Sequence, residues 1–169
     1  MQNNHLNDNN YLNRVKVDKS LSYLKAGIIN FCDDKARDLH EEVTKRVVLK
    51  STQAATTWCN NCTNRSIIKI RGQYKMNCAN NICNVWFEEI QALHQWYPHF
   101  NLKSKSDPQI WPTDSWEVAK CFQSIGSSSS RSAEDSDVND LLLMIKNCST
   151  LATLFPDKST VSEVNIFRG

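Results

Sequence analysis

Two pairs of closely spaced cysteines are the residues of this sequence best suited to chemistry. Cys59 and Cys62 form a Cys-x2-Cys pair, and fifteen residues later Cys78 and Cys83 form a Cys-x4-Cys pair. Each short pair can present two thiolates from one tight turn, and the longer segment can fold back to unite the pairs around a tetrahedral metal. The spacing therefore predicts a structural zinc site whose ligands are Cys59, Cys62, Cys78 and Cys83.

Three other interpretations of these residues stay open, one of them a disulfide pair, which is disfavoured because intracellular thiols stay reduced. Free cysteine is among the most buried residue types, so the thiols are also compatible with a reduced core. A mixed site formed by Cys78, Cys83, His94 and His99 has the spacing C-x4-C-x10-H-x4-H, which is close to a two-Cys-two-His finger. Pro98, however, would interrupt the helix that should carry both histidines. The remaining cysteines are expected in the core: Cys32, Cys121 and Cys148.

The segment between the cysteine pairs predicts a β-hairpin, with strands over 66–70 and 74–77 and a turn over 71–73. Side chains alternate between the two faces of a strand. Most of the apolar residues fall at even positions, and we expect these to pack inward: Ile68, Ile70, Tyr74 and Met76. Together with the cysteine pairs, the hairpin has the outline of a zinc ribbon.

Basic residues occupy the odd positions of the same hairpin. Lys69, Arg71 and Lys75 are expected to share the solvent face, and no acidic residue occurs between positions 51 and 83. Such a face can contact the phosphates of RNA. A solvated hairpin face without a ligand is the alternative interpretation.

The flanking segments have helical periodicity. We expect a disordered polar stretch over 1–10, a helical segment over 11–50 interrupted near Asp33 and Asp34, and the zinc-ribbon-like insert with its following helix over 51–99. A further helical segment spans 100–169 and contains a serine-rich loop over 126–137. Asp114 or Thr113 is a candidate N-cap of one helix and Asp137 or Ser136 of another, and Trp116 is expected in the core.

Composition excludes several classes of protein. The net charge is only +2, so the chain as a whole gives no argument for a nucleic-acid partner. The sequence contains no apolar run of the roughly 18 to 20 residues that span a bilayer and no export signal, which predicts a cytoplasmic or nuclear protein without a membrane partner. With four glycines, it contains neither a phosphate-binding Gly-rich loop nor a nucleophile elbow.

The second half of the chain resembles the uncharacterised vertebrate X-chromosome open-reading-frame proteins of the C-X-orf-thirty-eight-like family. The resemblance is carried by a block from Trp111 to Phe122, by Leu141 to Cys148 and by Val161 to Val164, with support from the pattern Cys83-x-x-Trp86-x-x-x-Ile90 and from the helix over 21–40. The second cysteine pair is closer together in that family than Cys78-x4-Cys83. The resemblance therefore implies a different spacing of the second pair of ligands in the family.

That family looks related to HEPN-type helical domains, such as the one in the DAZ-interacting zinc-finger ubiquitin ligase. Many HEPN domains carry an Arg-x4-His motif that cleaves or binds RNA without a metal. Arg168 matches the arginine of the family, whereas Gly169 replaces an asparagine and the histidine position is not in this sequence. The resemblance therefore implies a truncated HEPN-like end, and we expect no catalysis.

These observations predict a mainly α protein: an HEPN-like helical domain with an inserted zinc-ribbon-like β-hairpin. The expected function is that of a non-catalytic binding or scaffold module stabilised by a structural zinc. The alternatives are an RNA-binding module that uses the basic hairpin and a fragment of an HEPN ribonuclease. The expected partner is a protein or RNA, and a homodimer through the helical domain is a further expectation.

Overall fold

The computed structural model describes residues 4–51, 58–59, 61–95, 106–124 and 129–155. Within these ranges the chain is mainly helical with one two-stranded sheet, which confirms the predicted fold class at that level. The elements are α1 (Asn4–Lys50), β1 (Ile67–Ile70), β2 (Gln73–Met76), α2 (Ile82–Ala92), α3 (Ser115–Lys120), α4 (Val138–Asn147) and α5 (Ser149–Ala152). None of the helices in these ranges is long and apolar enough to cross a membrane.

Helix α1 runs without interruption for 47 residues. The predicted break at Asp33 and Asp34 is wrong, and residues 4–10, expected to be disordered, belong to the helix. An aspartate inside a helix costs at most about 0.7 kcal/mol relative to alanine. Here the Asp33 carboxylate accepts a hydrogen bond from the Ala133 amide at 3.1 Å, and Asp34 forms an ion pair with Arg37. These contacts offset the low helical propensity.

The core is built against one stripe of α1. Its fully buried side chains recur every three or four residues, as one face of a helix requires: Cys32, Ala36, Leu39, Val43 and Val47. Helices α2, α3 and α4 all contact α1. The N-terminal part of α1 extends past this core, so that Tyr11 and Tyr23 are largely exposed.

The shorter helices begin at the expected caps. The Asp114 side chain accepts hydrogen bonds from the amides of Trp116 and Glu117 at the start of α3, and Asp137 caps α4 in the same way. The end of α2 joins the junction between α4 and α5 through a bridge between His94 and Cys148. The three cysteines expected in the core are fully buried: Cys32, Cys121 and Cys148.

The hairpin forms where predicted, with a tighter turn. Arg71 and Gly72 alone connect β1 to β2, with φ angles of 50° and 85°. Two consecutive positive φ values are typical of the two-residue turns that match the twist of a hairpin. Glycine accepts this conformation without steric cost, whereas arginine does so less readily.

This two-residue turn changes which side chains share a face. Because each residue of β1 pairs with one of opposite parity in β2, Ile67 lies opposite Met76 and Ile68 lies opposite Lys75. Ile67 and Met76 are buried, whereas Ile68 and Ile70 are 38% and 45% exposed. The expectation that Ile68 and Ile70 pack inward is therefore wrong, and the expectation for Met76 is confirmed.

Several expectations lie outside the described residues. These are the part of the serine-rich loop at 125–128, the segment 96–105 that contains His99, and the C-terminal helix predicted from 160 onward, which would carry Arg168.

Trp116 is buried in the helical core, as expected, and its indole N–H donates to the Ser130 hydroxyl at 3.4 Å. Replacing Trp116 by alanine removes this packing and should lower the free energy of unfolding by about 3 to 5 kcal/mol. Thermal unfolding followed by circular dichroism measures the effect. Tyr23→Ala, which removes an aromatic ring that is 76% exposed, is the matched control and should leave the melting curve nearly unchanged.

Candidate metal centre

Four cysteine side chains converge beside the hairpin. The sulfur atoms of Cys59, Cys62, Cys78 and Cys83 all lie within 4.8 Å of one another. The Cys59 sulfur is 3.5 Å from that of Cys78 and 3.3 Å from that of Cys83. Three of the residues are buried, and Cys59 is half-buried. The fold thus brings the two predicted pairs together into one cluster.

The first pair is held by a short turn. The Cys62 amide donates to the Cys59 carbonyl at 3.3 Å, which directs both side chains to the same side. The Trp58 indole N–H donates to the Cys62 carbonyl at 3.2 Å, and its ring packs edge-on against Trp111 at 5.7 Å. A buried aromatic contact therefore anchors this turn to the helical domain.

The second pair spans the passage from β2 into α2. Cys83 lies in the first turn of α2, after Asn81, which adopts a left-handed conformation with φ of 64°. The side-chain amide of Asn84 closes the turn, because it accepts from the Cys78 amide at 2.9 Å and donates to the Cys78 carbonyl at 3.3 Å. The positive end of the α2 dipole also favours a thiolate at Cys83.

The arrangement fits a tetrahedral metal ion. Zinc–sulfur bonds of about 2.3 Å place the sulfurs of a tetrahedron about 3.8 Å apart. The two separations of 3.3 and 3.5 Å are slightly shorter than that value, and all four sulfurs lie within 4.8 Å of one another. The donor set consists of four sulfurs, which suits zinc or iron and disfavours calcium or magnesium. The cluster can therefore bind a metal ion.

The thiols of the cluster have pKa shifts in opposite directions. Burial opposes ionisation of Cys59, but hydrogen bonds from Cys62, Cys83 and Cys78 outweigh it and lower the pKa of Cys59 to about 7. Burial, together with the hydrogen bonds to Cys59 and Cys78, raises the pKa of Cys62 to about 11, and burial also raises the pKa of Cys83. A bound cation would offset the cost of ionising these buried thiols.

The structure does not group Cys78 and Cys83 with His94, as the mixed Cys/His site would require. Among the described residues, the four cysteines are the only group of this kind close enough to hold a metal. His94 lies beyond the far end of α2, where its ring stacks on Phe122 at 5.4 Å with an interplanar angle of 10°. It is a buried core residue.

The basic residues of the hairpin do not share one face. Lys69 lies on the face of Tyr74, with its ammonium 5.3 Å from the centre of the tyrosine ring, and Lys75 emerges on the opposite face beside Ile68. The expectation that these residues share a single basic face is wrong, because the two-residue turn pairs odd positions of β1 with even positions of β2. Lys69, Arg71 and Lys75 are nevertheless all exposed.

The residues that hold the two cysteine turns in place were not predicted from the sequence. Gln109 lies in the short 3-10 helix Pro108–Ile110. Its side-chain amide donates a hydrogen bond to the Cys62 carbonyl at 3.3 Å. The position of Asn84, directly after the last cysteine of the pair, was a usable signal, since asparagine side chains commonly close backbone turns. The role of Gln109 had no such local signal, because its partner is 47 residues away.

The fold and the site define a helical domain with an inserted hairpin that carries a four-cysteine cluster. The chain belongs to the family described as "Domain of unknown function (DUF4559)", whose model matches residues 5–168. It is also similar to the "Uncharacterized protein CXorf38 homolog" of Mus musculus, with 27% identity over 166 residues. This confirms the family resemblance found in the sequence.

The alignment with the mouse protein covers 94% of this chain and 47% of the relative, so the chain spans about half the length of the curated relative that it matches. No solved structure matches the chain significantly. These similarities therefore identify the family, and they do not support the relation to HEPN domains.

Asn84→Ala should loosen the second turn, because it removes both bonds to Cys78 and the bond that Asn84 donates to Asn81 at 3.1 Å. We expect a loss of about 1 to 2 kcal/mol. Amide hydrogen exchange at Cys78 should become faster. Asn80→Ala, in the same turn but exposed, is the control, and an equal effect of both variants would contradict the assigned role of Asn84.

Proposed function

We propose that the four cysteines bind one structural zinc ion, and that the chain acts as a non-catalytic binding or scaffold module. The observation that carries the proposal is the convergence of four sulfur atoms within 4.8 Å from two segments that are separated by a hairpin. Tetrahedral sites with four thiolate ligands are typical of structural zinc.

The composition of the site argues for a structural role. A catalytic zinc keeps one coordination position for water or substrate, whereas four protein ligands fill a tetrahedral site. Cys62, Cys78 and Cys83 are also buried, which limits access of a substrate to the metal. We therefore assign a stabilising role to the metal ion and place the binding function on the surfaces of the module.

Zinc would act here as a cross-link. It would join the turn at Cys59 and Cys62 to the start of α2 at Cys83, and α2 packs on α1. Apparent binding free energies of structural zinc in small peptides are about 10 to 16 kcal/mol, which is enough to decide whether such a hairpin is ordered. The ordered hairpin would then present its exposed surface to a partner.

The same proposal includes a fold assignment for the helical domain. The family resemblance suggests an HEPN-like bundle, with Arg168 at the position of the HEPN arginine, and it suggests a homodimer or another protein partner for the helical domain. Native mass spectrometry reports the oligomeric state together with the metal content.

The metal assignment is tested by native mass spectrometry of the purified chain. We expect one zinc ion per chain, and Cys62→Ser or Cys78→Ser should abolish binding because each removes a thiolate ligand. Cys32→Ser is the matched control, since Cys32 is a buried cysteine outside the cluster and should not affect metal content.

Two outcomes would contradict the metal proposal. Full metal occupancy in both Cys62→Ser and Cys78→Ser would exclude these residues as ligands. Loss of metal in a folded His94→Ala variant would favour the mixed Cys/His site instead. Iron in place of zinc would keep the site and change the ion, which the measured mass distinguishes.

A second function, binding of RNA by the hairpin, is favoured by one observation. Lys69, Arg71 and Lys75 are exposed, and none of them forms an ion pair within the described part of the chain. Because Lys69 and Lys75 lie on opposite faces, we propose that the tip of the hairpin enters between phosphates instead of lying flat on them. Phosphate contacts of this kind weaken as salt increases.

The RNA proposal is tested with the double variant Lys69→Glu and Arg71→Glu. Single-stranded RNA binding, measured by fluorescence anisotropy at several salt concentrations, should be strongly reduced, and the salt dependence should become shallower by roughly one unit per lost phosphate contact. Lys16→Glu with Lys19→Glu makes the same charge change on the exposed part of α1 and is the control. Equal losses in both double variants would indicate a non-specific effect of net charge.

A further inference from the structure

A polar cavity of about 590 Å³ lies next to the first cysteine turn. One wall consists of the residues that directly follow Cys62, namely Thr63, Asn64 and Arg65, and another contains Asp107, Glu117 and Lys120. Its volume is in the range of small-molecule sites. Among the described residues that line it, none is aromatic or aliphatic, which disfavours an apolar ligand and a stacked base.

The two carboxylates of the cavity both accept hydrogen bonds from the protein. The Glu117 carboxylate forms an ion pair with the buried Lys120 ammonium and accepts from the Asp107 amide at 2.8 Å. The Asp107 carboxylate in turn accepts from the Gln109 amide at 3.0 Å. Glu117 therefore already has a cationic partner, and these bonds fix the wall that it forms with the exposed Asp107.

The other wall offers one donor group and one acceptor that the described residues do not use. The Arg65 guanidinium forms no ion pair with a described residue. The side-chain oxygen of Asn64 is buried without a hydrogen-bond partner, while its nitrogen donates to the Ser106 carbonyl at 3.1 Å. A buried polar atom without a partner is costly, so a ligand that donates to it would be favoured.

We propose that this cavity binds a small hydroxyl-bearing oxyanion. A phosphate or carboxylate group would accept from the fork of Arg65, which matches the geometry of either group. A hydroxyl group of the same molecule would donate to the oxygen of Asn64, and further hydroxyl groups would contact the polar walls. Sugar phosphates and sugar acids both have this chemistry.

The cavity is separate from the cysteine cluster, and the two share one segment of the chain. The turn that carries Cys62 continues directly into Asn64 and Arg65, and Gln109 joins the Cys62 carbonyl to the wall that contains Asp107. Metal binding would thus hold one wall of the cavity in place. The ligand site does not require that the ion be zinc.

Isothermal titration calorimetry of the full chain with ribose 5-phosphate and with gluconate tests the proposal and separates the two ligand sources. We expect saturable binding of at least one of them, with ribose alone and inorganic phosphate binding more weakly than ribose 5-phosphate. Arg65→Gln should weaken binding at least about tenfold, since it removes charge-assisted hydrogen bonds. Arg65→Lys, which keeps the charge and loses the fork, should weaken it less.

Arg71→Gln is the matched control, because it removes an exposed arginine of the same hairpin that does not line the cavity. Equal weakening by Arg65→Gln and Arg71→Gln, or no binding of either polyol anion, would overturn the proposal. Inorganic phosphate binding as tightly as ribose 5-phosphate would overturn the role of Asn64. Because the variants are compared at equal, measured metal content, the ligand proposal can fail while the metal proposal holds. The metal proposal can likewise fail while ligand binding is observed.

Discussion

The buried stripe of α1 is the constraint on which the rest of the structure depends. Three other helices pack on it, and single polar contacts fix the intervening segments along its length. His40 bonds the Trp111 carbonyl at 2.8 Å, Lys50 pairs with the buried Glu89 of α2, and the Asp33 carboxylate receives the Ala133 amide. These contacts can form together because all of them attach to one uninterrupted helix, α1.

Because α2 is fixed on α1, the cysteine at its start is fixed as well. Cys83 therefore serves as the reference point toward which the hairpin brings Cys59, Cys62 and Cys78. The Trp58 indole, which packs against Trp111, and the Gln109 side-chain amide both donate to the Cys62 carbonyl and hold the first turn against the helical domain. A bound ion would add the strongest link between this turn and the helical domain.

The same carbonyl connects the cysteine cluster to the polar cavity. The hairpin insert thus has two different surfaces: an inner one, where the cysteine cluster adjoins a polar cavity, and an outer one, where Lys75 lies beside the exposed Ile68 and Ile70. The inner surface has the shape to hold a small molecule, and the outer one is open to a larger partner. A structural metal would support both, since it orders the segment that carries them.

The sequence by itself determined the helical class, the position of the hairpin, the four cysteines of the cluster and the caps at Asp114 and Asp137. These depend on local spacing and on side chains that bond their own backbone, so neighbouring residues suffice to reveal them. Only the tertiary structure decided the continuity of α1, because the contact that supports Asp33 comes from a residue a hundred positions away. It also decided which hairpin side chains are buried, since one residue of turn length reverses the faces of a strand.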